Sequence, residues 1–364
     1  MLLIKSLQLL LAAWPLLNAS IISDSVYDTL NSTAIWSKIS YCTVFNKGFT
    51  AGKLQTNCPN MEFCNTDHSE SIEILEVFRP KISKFQISGT GFVAADHLKK
   101  QIFIVFRGSM SAGDWFTDFI FDQCPYYPII GGPLKADFIK NSGDIGSIKA
   151  ALKAAGGIPI CDDCFVHCGL YVELLHFLPQ MYNNAKRYID KGYQLVVTGH
   201  SLGGGYSAIA GLDLLLSGES PLTISYAPLK IGNTGLNRFI DSLYDTSGAA
   251  KVVEKGGSLP IPSFSNVYQA SDPVYRLPVG FNYTHSGLEF EINKIQLPHN
   301  KDDVNFKGMA NHFDNSEFDF DLKNPLLYFI IYQHIYQFIR ISYPCNDLEL
   351  PFVTTRVLGD DRIF

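Results

Sequence analysis

The sequence predicts an α/β fold, a central, mostly parallel sheet flanked by helices, and three observations carry that expectation. Segments of strand character alternate with helical ones along most of the chain. The residues with chemical potential fall where strands end, where α/β sheets build their sites. Residues 193–198 form the run Tyr-Gln-Leu-Val-Val-Thr, which enters Gly199-His200-Ser201-Leu202-Gly203 and leaves through a Leu-, Ala- and Ile-rich stretch ending at Leu216. Strand, tight turn and helix in that order put a serine hydroxyl at the sheet's edge.

Composition bounds the alternatives. A chain of 364 residues, 46% hydrophobic and 18% charged, can bury a sizeable core, so disorder is excluded and one large domain over 21–364 is expected. Residues 1–20 have the layout of a signal peptide: Lys5, an apolar stretch from Leu7 to Leu17, then Ala19 and Ser20. The apolar stretch is too short for a spanning helix, so secretion is expected rather than anchoring. A net charge of -6 without a basic cluster argues against nucleic acid as a partner.

Eight cysteines on a secretory route imply disulfides. Cys58 with Cys64 and Cys161 with Cys164 are close in sequence. A zinc site from Cys161, Cys164, His167 and Cys168 is set aside because the compartment oxidises thiols. No metal, no cofactor and a monomeric chain are expected. Asn31-Ser32-Thr33 and Asn282-Tyr283-Thr284 are acceptors for N-glycosylation on that route.

In chain order, residues 24–40 read as an N-terminal helix ending near Tyr41-Cys42. Lys84 to Asp96 and Gln101 to Arg107 read as strands joined at Leu98-Lys99-Lys100. Leu134 to Pro159, heavy in Gly, Ala and Lys, reads as an insertion or mobile loop. Leu170 to Lys191 reads as a helix feeding the serine's strand, and Leu202 to Leu216 as the helix after it. Leu222 to Ala227 and Ser265 to Ala270 are further core strands, the second ending at Ser271-Asp272-Pro273. Leu326 to Tyr343 is nearly all apolar, but Gln333, His334, Gln337 and Arg340 interrupt it. A membrane span would hold those groups in hydrocarbon, so a buried C-terminal helix is expected.

A serine hydroxyl becomes a good nucleophile when a base takes its proton, and the base needs an acid to fix its tautomer. Ser201 is the candidate nucleophile, and Gly199 and Gly203 clear space for it. Acid and then histidine should follow in sequence. Asp272 follows a core strand; a turn or cap role is its plain alternative. His285, His299, His312 and His334 lie downstream. His299 and His312 read as solvated loop residues and His334 as a core histidine, while His167 and His200 read as structural. Arg107-Gly108-Ser109, at a strand end, can bring an amide and a hydroxyl near the serine. Residues 110–121 add Trp115, Phe116, Phe119, Ile120 and Phe121, either a helix packed on the core or a cover over the site.

Five motifs together resemble one family. Phe106-Arg107-Gly108-Ser109, Trp115 just beyond it, Cys161 to His167, Thr198 to Gly204, and Asp272-Pro273-Val274-Tyr275-Arg276-Leu277-Pro278, in this order between Tyr41 and Cys345, are similar to the fungal class 3 lipases, secreted yeast members above all. The resemblance implies an α/β-hydrolase fold with a helical lid containing Trp115 and Phe116. It implies Ser201 as nucleophile, Asp272 as acid, an oxyanion hole from Ser109 and the Leu202 amide, and Asp118 as its support. The family's histidine lies in a segment matched by His334-Ile335-Tyr336-Gln337-Phe338, with the tyrosine shifted by one; His312 is the reserve. It also implies a Cys42–Cys345 bridge and supports Cys58–Cys64 and Cys161–Cys164, leaving Cys124 and Cys168 as a possible fourth pair. The function so implied is a secreted carboxylic-ester hydrolase, a triacylglycerol lipase acting on acylglycerols at a lipid–water interface. Its rivals are an esterase for soluble or aryl esters, feruloyl-type among them, and an inactive lipid-binding protein.

Overall fold

The structure, a computed structural model, describes residues 22–45, 49–79, 90–109, 122–131, 163–280, 282–312, 332–342 and 345–347. The expected signal peptide at 1–20, the lid segment at 110–121 and the loop at 134–159 lie outside them.

Helix α1 (Asp24–Ser40) opens the described chain, its N-cap Ser23 accepting from the Val26 amide at 3.2 Å. The strands that follow are β1 (Gly52–Lys53), β2 (Ile72–Phe78), β3 (Gly91–Asp96), β4 (Gln101–Phe106), β5 (Gln123–Pro125) and β6 (Phe165–His167). Helix α2 (Cys168–Ile189) precedes β7 (Gln194–His200), and α3 (Leu202–Leu216) follows it. Then come β8 (Leu222–Tyr226), β9 (Gly232–Asn233), α4 (Thr234–Leu243), α5 (Thr246–Glu254), β10 (Ser263–Gln269), β11 (Tyr283–Thr284), β12 (Leu288–Ile292) and β13 (Val304–Met309). The short strands β14 (Tyr336–Gln337) and β15 (Ile339–Arg340) close the series.

Nine strands form the main sheet in the order β1-β2-β3-β4-β7-β8-β10-β12-β13. Its centre, β4-β7-β8-β10-β12, is parallel, and antiparallel strands flank it. Central strands are buried on both faces, which is why β4 and β7 read as continuous apolar runs. One face packs on α2 and α3 through Leu174, Leu178, Ile209 and Leu212, against Ile104 and Val197. α1 lies on the other face, where Trp36 and Ile39 meet Val105 and Val196. Ser37 Oγ also pairs with Thr198 Oγ1 at 3.1 Å across that interface. A second sheet, β11-β9-β6-β5, is built from strands of two or three residues.

Among the described residues the expected C-terminal helix is corrected. One helical turn at 332–335 gives way to a β14–β15 hairpin, turned at Phe338 with φ +61°. Tertiary bonds replace the helix's own ladder: Phe338 N–H donates to His299 Nδ1 at 3.0 Å, and Gln269 donates to the Tyr336 carbonyl at 2.5 Å. His299 is accordingly buried rather than solvated. No helix among the described residues is long and apolar enough to cross a membrane.

Candidate active site

The site lies beyond the C-terminal ends of the parallel strands. β7 delivers the chain into Ser201, whose backbone adopts φ 69° and ψ −126° before α3 begins at Leu202. This conformation is costly for a non-glycine residue and turns its side chain out of the strand's path. The flanking glycines are required sterically. A Cβ on Gly199 would strike the Gly203 carbonyl, and one on Gly203 would strike the Phe106 carbonyl of β4.

Ser201 Oγ and His334 Nε2 are 3.0 Å apart. On its far side, His334 Nδ1 lies 3.0 Å from each Asp272 carboxylate oxygen, and the Val274 amide donates to Asp272 Oδ1 at 2.9 Å. All three residues are buried. Asp272 follows β10 by a turn in which its own amide donates to the Gln269 carbonyl at 3.0 Å. A hydroxyl, an imidazole and a carboxylate in this order can pass a proton from the serine to the imidazole while the carboxylate holds the Nδ1 proton.

The loop after β4 reaches the same place. A Cβ on Gly108 would lie 2.9 Å from Ser201 Cβ and 2.6 Å from the His200 carbonyl, so only glycine allows that approach. Ser109, partly exposed, follows directly, and Leu202 is the first residue of α3. Beneath the loop Arg107 is buried, and burial lowers its pKa against the opposing pull of Tyr41, Tyr206 and Glu173. The Tyr206 hydroxyl donates to Glu173.

His200, read from sequence as structural, is bonded to the backbone of the residue that carries the imidazole. His200 Nε2–H donates to the His334 carbonyl at 2.8 Å, and Nδ1 accepts from the Tyr41 hydroxyl at 2.7 Å. Burial first, then the neighbouring His334, push the pKa of His200 well below the ordinary imidazole range, which keeps it neutral for both bonds. Tyr41 has no signal in the sequence beyond its place beside Cys42. Gln333, which accepts from the Ser271 amide at 2.9 Å, is equally new. Its signal was visible as polarity inside an apolar run.

The remaining histidines have other employment. His285 stacks on Tyr275 at 3.8 Å between ring centroids and donates to its carbonyl at 2.6 Å. His312, expected in solvent, pairs with the buried Asp241 at 2.6 Å, a carboxylate that also accepts from Thr246 and from the Gly287 amide. His167 caps α2.

Cys42 is bonded to Cys345 and Cys58 to Cys64. Cys164 is disulfide-bonded as well; Cys161 lies outside the described residues, as do Trp115, Phe116 and Asp118. Cys124 and Cys168 are buried thiols. Asn282 is exposed, whereas Asn31 is half-buried on α1. Among the described residues no group of three or more His, Cys, Asp or Glu is placed to hold a metal ion.

Comparison with known proteins gives one consistent result. The sequence model of the family lipase (class 3) matches residues 103–280. The LIH1 protein of Saccharomyces cerevisiae is 27% identical over 311 residues, 80% of this chain and 85% of its own. Secreted mono- and diacylglycerol lipase 1 of Fusarium solani is 25% identical over 240 residues, 65% of this chain but 54% of its own. Among solved structures, the LIP2 lipase of Yarrowia lipolytica superposes with a TM-score of 0.58 at 22% identity, covering 86% of this chain and 94% of that one. MDLA of Penicillium cyclopium gives 0.60 at 21%, covering 88% and 98%. At such identities the structures share the fold, which is the α/β-hydrolase fold.

Proposed function

We propose, from the match of the class 3 lipase model to residues 103–280 and the similarity to the LIH1 protein, that the chain is a secreted triacylglycerol lipase working through Ser201, His334 and Asp272. The observation that supports this most is the hydrogen-bonded order serine, histidine, aspartate, with 3.0 Å at each link. Ser201 Oγ attacks the ester carbonyl as His334 Nε2 takes its proton. Asp272 keeps the other imidazole proton on Nδ1 and stabilises the imidazolium. His334 then protonates the departing alcohol, leaving an acyl-serine that water cleaves by the same steps in reverse. The tetrahedral oxyanion is received by the Leu202 amide and Ser109, each donor contributing roughly 2.7 to 4 kcal/mol. Secretion agrees with the relatives named as secreted lipases and with the disulfides present.

The test has two arms. A fluorophosphonate probe should label the wild-type protein at Ser201 and leave Ser201→Ala unlabelled; an inert serine would sink the enzyme reading. Hydrolysis of emulsified long-chain triglyceride should exceed that of short soluble esters, with a rise in rate above the substrate's solubility limit. Turnover confined to soluble esters would make the protein an esterase instead.

A further inference from the structure

Asp272 and His334 meet from segments far apart in sequence, so their alignment depends on whatever holds those segments together. The neighbours of the two residues are themselves bonded. Gln333, preceding His334, accepts through Oε1 from the amide of Ser271, preceding Asp272, at 2.9 Å. Beside the link between imidazole and carboxylate runs a second one, between carboxamide and backbone.

Two more carboxamides extend the seam. Gln269, the last residue of β10, donates to the Tyr336 carbonyl at 2.5 Å and to the Ile295 carbonyl at 3.3 Å. Gln337 donates to the carbonyls of Gln333 and His334, at 2.9 and 2.8 Å. All three glutamines are buried. A buried carboxamide is costly when its bonds are lost, and gains little over an apolar side chain when they are made. Directional bonds, not burial, are what these side chains supply.

Of the three, Gln333 is the one whose side chain accepts from a backbone amide of the turn that carries the carboxylate. That turn is short: the Asp272 amide bonds the Gln269 carbonyl, Asp272 Oδ1 takes the Val274 amide, and the Ser271 amide is left to face the histidine segment. We propose that Gln333 is a positioning residue, which sets the Asp272 carboxylate against His334 by holding the Ser271 amide. The proposal rests on the reading of Ser201, His334 and Asp272 given above.

Gln333→Met keeps the length of the side chain and removes the acceptor, whereas Gln333→Glu keeps an oxygen at the same place. Turnover is measured per active site, titrated to completion with a fluorophosphonate, alongside KM and Tm. The expected result is a fall in kcat of about 10- to 100-fold for Gln333→Met, the scale of a misplaced catalytic group. KM and Tm should stay close to wild type, and Gln333→Glu should recover most of the lost kcat. A Gln333→Met protein within twofold of wild-type kcat overturns the proposal. So does a loss that tracks Tm and that Gln333→Glu fails to restore, since that describes a merely structural residue. Ser201→Ala and His334→Ala, assayed on the same substrate with rates taken per mole of protein, separate the two levels. Activity in either would remove the triad reading and this inference with it; inactivity in both, beside an unaffected Gln333→Met, would remove the inference alone.

Discussion

Asp272→Asn changes one atom, and the surrounding bonds dictate what it does. Asp272 Oδ1 is claimed by the Val274 amide, a donor that needs an acceptor opposite. An asparagine must therefore turn its carbonyl towards Val274 and its NH2 towards His334 Nδ1, where the second carboxylate oxygen stood at 3.0 Å. The carbonyl at the Oδ1 position, also 3.0 Å from Nδ1, is still an acceptor, but the NH2 in the other oxygen's place opposes an Nδ1 proton and favours the tautomer protonated on Nε2, which lacks the lone pair that Ser201 needs. The expected loss in kcat is about 10⁴-fold, about 5 kcal/mol of transition-state stabilisation, with the fold intact. Asp272→Ala leaves the imidazole either tautomer, and so should be no worse than asparagine although it deletes more. Initial rates on a soluble ester, with the fluorophosphonate-titrated site as denominator and near-UV circular dichroism as a fold control, decide the matter. An Asp272→Asn protein with more than a tenth of wild-type kcat, or one clearly more active than Asp272→Ala, would refute the tautomer argument.

Breaking the Cys42–Cys345 bridge, with its sequence separation of 303, should cost about 6 kcal/mol in the loop-entropy model against about 2 kcal/mol for Cys58–Cys64 with its separation of 6. Denaturant midpoints of the two double Cys→Ser proteins measure the difference, and equal costs would refute it. His167, buried at the start of α2, has its pKa pulled down from 6.5 to about 4, chiefly by burial. The unfolded chain therefore takes up a proton that the fold refuses. Stability from this group is complete above about pH 6.5 and falls by about 3 kcal/mol as the pH drops to 4. Urea unfolding at pH 7.5 and 4.5 should show this decline, and His167→Asn, which retains a capping side chain, should lessen it; an unchanged pH slope would count against the assignment.

How far the fold could be read from sequence depended on how local its causes are. α1, α3 and β7 were legible because each is an unbroken run bounded by its own cap or glycine. β12, Leu-Glu-Phe-Glu-Ile, alternates apolar and polar residues and is buried in the same alternation; that signal was present and passed over. β5, β6, β9 and β11 are two or three residues long and show no period at all. The C-terminal segment misled because an apolar run suits a buried helix and a buried hairpin equally. The arbiter, His299 accepting from Phe338, lies on a different loop.

The site divides along the same line. Ser201 was legible from residues 199–203 because the demand for glycine on both sides of a strained backbone is written within a few positions. Asp272 was half-legible, from its place at a strand end. His334 had no local signature: its meaning comes from the Ser201 and Asp272 atoms on either side of it, and resemblance to a family was needed to single it out. The polar residues around it illustrate the difference between detecting a signal and reading it. Gln333, His334 and Gln337 ruled out a membrane span because hydrocarbon offers them no partners. The same reasoning, carried one step further, requires that a protein interior must offer them partners. Those partners turn out to be the Ser271 amide, the Asp272 carboxylate, Ser201 Oγ and the segment's own carbonyls. Polarity in an apolar run therefore signals that buried partners exist, but which atoms answer it is a property of the fold.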